Sequence, residues 1–289
     1  MAEAVALLET SRDGVLLAGG TDLLVDLKQG KRFHEDVISL TRIEELHSIE
    51  LHGDSLVIGA AVTHNQLIHS PLIRQSCFAI SEAAATIGTE QIRNTATVGG
   101  NLCTAASCAD TAPILIALEA RVELIGGRGR RTLALANLFV DHRRTALEKC
   151  EILSRIIVPV PPAGTGAAFE KFGLRQAANI SVASVAVMVR VVDQRCERAS
   201  FVMGAVAPTP RISGKAAGLV EGRPVSQVSE GSELLERVAR AVADDAAPLD
   251  DIRGSAAFRR EVTATLARRA FEKALSRAVT GVAEGQAGR

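Results

Sequence analysis

The chain has 289 residues, 47% of them hydrophobic and 23% charged, with 33 Lys+Arg against 33 Asp+Glu and neither Trp nor Tyr. That length suffices for one large or two ordinary cored domains, and the balanced charge excludes a basic field for nucleic acid or a membrane surface. No run approaches the ~18 apolar residues of a bilayer span, and with Phe as the only ring, stacking of bases on exposed aromatics is not expected.

In chain order, the opening "MAEAVALLET" has no basic n-region, so no secretory leader is expected, and "EAVALLE" reads as a short amphipathic helix. A strand follows at "VLLAG", then short β-rich runs at "DVISL", "SIEL" and "SLVIGA". "THNQLIHSPLIRQSCFAISEAAATIG" shifts to helical spacing, broken or kinked at Pro71. "ADTAPILIALEA" is a further helix with Pro113 near its start, and "RVELIG" and "RTLAL" pair around "GRGR". Three prolines and two glycines in "VPVPPAGTGA" mark a linker, so we place the domains at 1–163 and 164–289. Beyond it, "AAFEKFGLR", "SVASVAVMVRVV" and "RASFVMGAVAP" lie at hairpin distances and predict an antiparallel sheet. "GSELLERVARAVADD" and "GSAAFRREVTATLARRAFEKALSRAV" then carry helical spacing, and the whole is α+β.

Five cysteines (Cys77, Cys103, Cys108, Cys150, Cys196) form no C-x-x-C pair. They point to a reducing cytoplasm, and away from a disulfide framework or a self-contained zinc or iron–sulfur site. The six histidines are scattered and read as surface or packing residues.

Two stretches share a design. "AGGTDLL" and "TVGGNL" each combine an apolar approach, two glycines and small polar residues. Glycines let backbone N–H groups converge in nests that bind phosphate oxygens. Neither stretch is a P-loop or a G-x-G-x-x-G fingerprint. Facing each other they would bracket a pyrophosphate; otherwise they are two tight turns.

Together, "LLAGGTDLL" and "QIRNTATVGGNLCTAASCADTAPIL" resemble the two FAD pyrophosphate loops of the FAD-binding, or medium, subunit of the molybdenum hydroxylase family, which includes xanthine dehydrogenases, carbon monoxide dehydrogenase and 4-hydroxybenzoyl-CoA reductase. "EILSRIIVP", "FEKFGLRQAANISVASVAV" and "IRGSAAFRREVTATLARRA" resemble later family segments, collinear over nearly the whole chain. The resemblance implies a vanillyl-alcohol-oxidase (PCMH) type FAD domain in two lobes, followed by a three-stranded antiparallel sheet with helices. It implies FAD held by Leu17, Ala18, Gly19, Gly20, Thr21, Asp22 and Leu23 on one side and by Ala96, Thr97, Gly100 and Asn101 on the other. Thr104 and Asp110 fall where relatives bond the ribityl chain or ribose, although Asp110 also suits a helix N-cap. Ile152 and Leu153 would pack beside the flavin or adenine, or simply fill the core. Lys171 would stand near the polar edge of the ring and raise its potential, or else face solvent, and Arg175 is expected in an ion pair.

The resemblance further implies an electron-transfer subunit with no catalytic acid or base and no metal of its own. Its partners would be a [2Fe–2S] small subunit and a molybdopterin large subunit in a dimer of heterotrimers, with NAD or a quinone as outside reactant. A stand-alone flavin oxidoreductase and an FAD-free scaffold are the alternatives. Two departures stand out. Relatives place an extra strand before the first helix, so the first lobe is expected to lack an edge strand or borrow one. The carbon monoxide dehydrogenase branch sets a tyrosine over the flavin, and with no Tyr here aliphatic groups must cover that face or leave it open. "CADTAP" begins at Cys108 itself, without the insertion that carries a [4Fe–4S] cluster in the 4-hydroxybenzoyl-CoA reductase branch.

Overall fold

A computed structural model describes residues 1–175 and 178–281. Helix α1 (Ala2–Thr10) turns Ala4, Val5 and Leu8 inward. Strand β1 (Gly14–Leu17) pairs in parallel with β2 (Asp36–Ser39), and α2 (Leu23–Lys28) lies between them in the chain. The chain then builds a five-stranded antiparallel sheet from β3 (Ile49–His52), β4 (Ser55–Gly59), β5 (Arg121–Gly126), β6 (Gly129–Ala134) and β9 (Ile152–Pro159), in the order β3-β4-β9-β5-β6. A short hairpin of β7 (Phe139–Asp141) and β8 (Arg144–Thr145) precedes β9.

Between β4 and β5 runs a string of short helices: α3 (His64–His69), α4 (Pro71–Ser76), α5 (Phe78–Ala85), α6 (Glu90–Thr95), α7 (Val98–Thr104) and α8 (Thr111–Ala117). Their boundaries are written in hydroxyl caps. Thr63 and Gln66 form a reciprocal capping box, Ser70 caps α4 just before Pro71, and Thr89 and Thr97 cap α6 and α7. The kinked helix predicted around Pro71 is therefore three helices, separated again where Cys77 turns extended. The second glycine stretch, read as a turn, is helical instead. Gly99 and Gly100 lie in the first turn of α7 because the Thr97 hydroxyl accepts from the Gly100 amide.

Residues 60–64 and 96–99 run past each other, with His64 N–H donating to Ala96 O (3.1 Å), Val98 N–H to Val62 O (2.9 Å) and Gly99 N–H to Ala60 O (2.8 Å). A Cβ on Gly99 would lie 2.6 Å from both Cβ and O of Ala60, and one on Gly19 would lie 2.0 Å from Thr95 O. Glycine is required at both points for close backbone approach.

Residues 160–164 lead into a second antiparallel sheet of β10 (Thr165–Gly173), β11 (Ser181–Val192), β12 (Arg195–Gly204) and β13 (Arg211–Ile212). It has four strands where three were expected. The two-residue β13 pairs only with Val202 and Met203, and is too short for any alternation to show in sequence. This sheet is buried on both faces. Ala186 and Met188 join the core of the preceding helices, while Val185, Val187 and Val189 pack against α9 (Gly214–Val220), α10 (Glu233–Asp245) and α11 (Ala256–Thr280). Double burial is why β11 reads as an almost unbroken apolar run. Among the described residues no helix is long and apolar enough to cross a membrane.

His64, the first residue of α3, is fully buried, and neither ring nitrogen has a hydrogen-bond partner among the described residues. Burial, and the Arg93 charge after it, push its pKa down to about 4.

Two stability outcomes follow. Gly99→Ala should lower unfolding stability by about 1–3 kcal/mol through overpacking. Gly218→Ala, in α9 with nothing within 4 Å of the added carbon, should raise it by up to about 1 kcal/mol. Urea melts of both variants check the contrast. For His64, the unfolded chain binds the proton first, so its contribution is complete above the ordinary histidine pKa and is lost as pH falls from there toward 4. Over that window wild type should lose roughly 3 kcal/mol that His64→Gln does not lose; parallel pH profiles of the two proteins would contradict this.

Candidate functional site

Both glycine stretches face one cavity of about 610 Å³, within the range of small-molecule sites. Leu17 through Leu23, Ala96, Thr97, Gly100, Asn101, Thr104, Asp110, Ile152 and Leu153 all line it. Lys171 does not.

The two stretches contribute differently. After β1 the chain turns at Gly20, where φ is +70°, and the amides of Gly19, Gly20, Thr21 and Asp22 take no protein acceptor among the described residues. Four neighbouring donors left unpaired at a cavity wall call for an anionic or polar partner. On the opposite side the amides of Val98, Gly99, Gly100 and Asn101 are already bonded to Val62, Ala60 and Thr97. That side offers shape and side chains instead. A Cβ on Gly100 would meet only the Thr97 hydroxyl, at 2.8 Å, whereas one on Gly99 or Gly19 would strike backbone. The Thr111 hydroxyl donates to Asn101 Oδ1 (2.7 Å), leaving the Asn101 NH₂ without an acceptor among the described residues.

Asp110 occupies the N-cap position of α8 but makes no capping bond. Its carboxylate accepts instead from Lys171 Nζ (2.6 Å) and Ser181 Oγ (2.5 Å). Burial pushes its pKa up, against the pull of the Lys171 ammonium. Lys171 is buried rather than solvent-facing, and also donates to Thr86 O (2.9 Å) and Asn179 O (3.3 Å). It stands behind Asp110. Arg175 is exposed and pairs with no carboxylate among the described residues.

Sequence reasoning did not single out His64, which lies on the cavity wall, or Asp26, which Arg32 (3.4 Å) and Arg143 (3.6 Å) approach together at the edge of the cavity. Ile87, Gly88, Thr89, Ile92 and Ala178–Ile180 complete the wall. The buried orphan nitrogens of His64 were invisible because a lone histidine at a helix start carries no pattern. Burial drives the Cys103 thiol up to about 12 and raises that of Cys108, so neither wall cysteine is a ready thiolate. Among the described residues no group of three or more His, Cys, Asp or Glu is arranged to hold a metal ion.

A cavity of this size with unpaired amides on one wall, a small-residue floor at Gly100 and aliphatic side chains from β9 fits a dinucleotide such as FAD. Residues 1–161 match the family described as the FAD binding domain in molybdopterin dehydrogenase, and residues 167–274 match the CO dehydrogenase flavoprotein C-terminal domain. The chain is 33% identical over 281 residues to the carbon monoxide dehydrogenase medium chain of Hydrogenophaga pseudoflava, covering 95% of this chain and 94% of that one. It is 31% identical over 280 residues to the xanthine dehydrogenase FAD-binding subunit of Escherichia coli O157:H7, covering 96% and 94%. A solved structure of carbon monoxide dehydrogenase from Hydrogenophaga pseudoflava matches the fold with a TM-score of 0.90 at 33% identity, over 95% of this chain and 94% of that chain. The chain belongs to the molybdenum hydroxylase family as an FAD-binding oxidoreductase subunit, a flavoprotein whose cofactor is FAD.

Proposed function

We propose that this chain is the electron-transfer subunit of a three-component molybdenum hydroxylase. It exchanges electrons with [2Fe–2S] clusters of a small partner subunit, which connect to a molybdopterin centre in a large one, and with an outside reactant such as NAD or a quinone. Bound FAD supplies the conversion between one-electron and two-electron transfers. The observation that carries this reading is a cavity rich in binding groups and poor in reacting ones. Asp110 is bonded to Lys171 and Ser181, the His64 nitrogens are sealed from solvent, and the Cys103 thiol is held near 12. None of these buried wall groups is free to act as base or nucleophile on an organic substrate, so the chain's task is to hold and tune. Relatives named as subunits of xanthine, carbon monoxide and nicotinate dehydrogenases align with 96%, 95% and 78% of this chain, which supports a choice of substrate made in another subunit.

In this reading the amides of Gly19–Asp22 hold the diphosphate, and Thr97 and Asn101 approach it from the other side. Ala96 and Gly100 leave room for it. Thr104 and Asp110 bond the ribityl or ribose hydroxyls. Ile152, Leu153 and Ile180 give the rings apolar contact in place of a tyrosine. Lys171 acts through Asp110, whose carboxylate it orients. The division falls in residues 160–164, with a vanillyl-alcohol-oxidase-type flavin domain before it. The assembly is a cytoplasmic dimer of heterotrimers.

Gly100→Val should cut FAD per chain at least tenfold while costing no more than about 2 kcal/mol of stability, the scale of a lost helix cap; full flavin content in the purified variant would remove the diphosphate assignment. For the assembly, the affinity-purified complex should show flavin bleaching on addition of its substrate. The chain alone should stay oxidised with the same compound. Rapid bleaching of the isolated chain would replace the subunit reading with a stand-alone enzyme.

A further inference from the structure

Outside the cavity, the last helix reaches across the second sheet and grips α5, the helix that leads into the cavity wall at Ile87–Thr89. Arg277 on α11 makes a two-pronged bond to Glu82 on α5, with Nη1 donating to Oε2 and Nη2 to Oε1, both at 2.7 Å. The same Nη1 donates to Ala167 O on β10 (2.7 Å), and the guanidinium lies 5.6 Å over the Phe78 ring. Lys273, one turn earlier, adds its ammonium 2.9 Å from Glu82 and 3.4 Å from Glu170 on β10. Arg277 is 6% exposed and Glu82 16%, so this is a largely desolvated pair with good geometry. Burial pushes the Glu82 carboxyl up, and the bonds from Arg277 and Lys273 overcome that push and hold it below the usual range.

The elements gripped stand directly behind one part of the cavity wall. One turn beyond Glu82, Thr86 O accepts from Lys171 Nζ. The next residues, Ile87–Thr89, form cavity wall, and Ile87 O accepts from Arg93 Nη1 (3.0 Å). Lys171 itself projects from β10, the strand that carries Ala167 and Glu170. Helix α11 packs so closely on that strand that a Cβ on Gly166 would lie 2.0 Å from Ala274 O. From Glu82 to Asp110 the path is the covalent chain to Thr86 and two hydrogen bonds, Lys171 to Thr86 O and Lys171 to Asp110.

We propose that Glu82 and Arg277 are a positioning pair for the flavin, setting the Lys171–Asp110 group and the Ile87–Thr89 wall from outside the cavity. This rests on FAD occupying that cavity. Loss of the pair lets the end of α5 relax away from β10, so Lys171 loses its Thr86 acceptor and Asp110 its fixed orientation. The cofactor's affinity and potential then change with no residue of the cavity altered. The chain is purified and stripped of FAD, and three quantities are measured: FAD affinity, the midpoint potential of the bound flavin, and the unfolding midpoint of the FAD-free protein.

Glu82→Gln should weaken FAD binding about tenfold. If the oxidised and reduced forms weaken unequally by a further factor of ten, the potential moves by about 30 mV for the two-electron couple. Arg277→Lys, which keeps the charge and loses the second prong, should fall between wild type and Glu82→Gln, and carries the same readings if Glu82→Gln does not fold. The exposed pair Arg268–Glu236 in the same domain is the control, and Arg268→Ala should leave all three quantities unchanged. A Glu82→Gln protein with lowered unfolding stability but wild-type affinity and potential overturns the proposal, because the pair is then only a structural bond. Failure of the cavity assignment is a separate result, seen as unchanged FAD affinity in Gly100→Val.

Discussion

The site depends on two places where backbones approach too closely for any side chain. At Gly19 the turn after β1 lies against the Thr95–Ala96 backbone, and at Gly99 the first turn of α7 lies against Ala60. These contacts seat the turn after the first small sheet directly on the helices that leave the five-stranded sheet. A wider approach would leave room for side chains and water, and the unpaired amides of Gly19–Asp22 would lose their shared direction. Glycine's entropic cost in the folded chain is offset by that geometry. Gly100 has a separate role, since it opens on the cavity rather than on backbone.

The second domain reaches the cavity through Ala178–Ile180 and backs it with a sheet common to two cores. Residues of β10–β12 enter the core of the flavin domain on one face and pack against α9–α11 on the other. One strand of this sheet, β10, delivers Lys171 to Asp110 across the interface. A buried ammonium and a buried carboxylate each cost solvation free energy, and each is tolerable here because the other is 2.6 Å away with further hydrogen bonds around it. The domains are thus joined by packing and by a charge pair at the cavity's edge, where Asp110 lines the wall and Lys171 stands behind it.

Much of this frame was legible in the chain. The short apolar run of "SLVIGA", the long one of "SVASVAVMVRVV" and the i, i+4 spacing of the last helix name their elements directly, since burial and composition or period agree. The two glycine stretches were legible as a pair only through their resemblance to a family, and what each does differed from its appearance. Gly99 and Gly100 belong to a helix because Thr97 caps it, a tertiary outcome of the Val62–Val98 crossing. Asp110 sits at the N-cap position and looks like a cap, yet the partner that claims its carboxylate, Lys171, lies 61 residues away. Short elements such as β13 hold too few residues for any period. His64, Arg32 and Arg143 reach the cavity through packing alone, and no local spacing records that.

Hydrogen–deuterium exchange at Ala18–Leu23, compared between FAD-free and FAD-saturated protein, tests the central claim that the first glycine loop's unpaired amides hold the cofactor. Amides without a protein acceptor exchange rapidly, so Gly19, Gly20, Thr21 and Asp22 should exchange near the unprotected rate when FAD is absent and roughly tenfold or more slowly when it is bound. Unchanged exchange across these four residues in a protein that demonstrably holds its flavin would contradict the account.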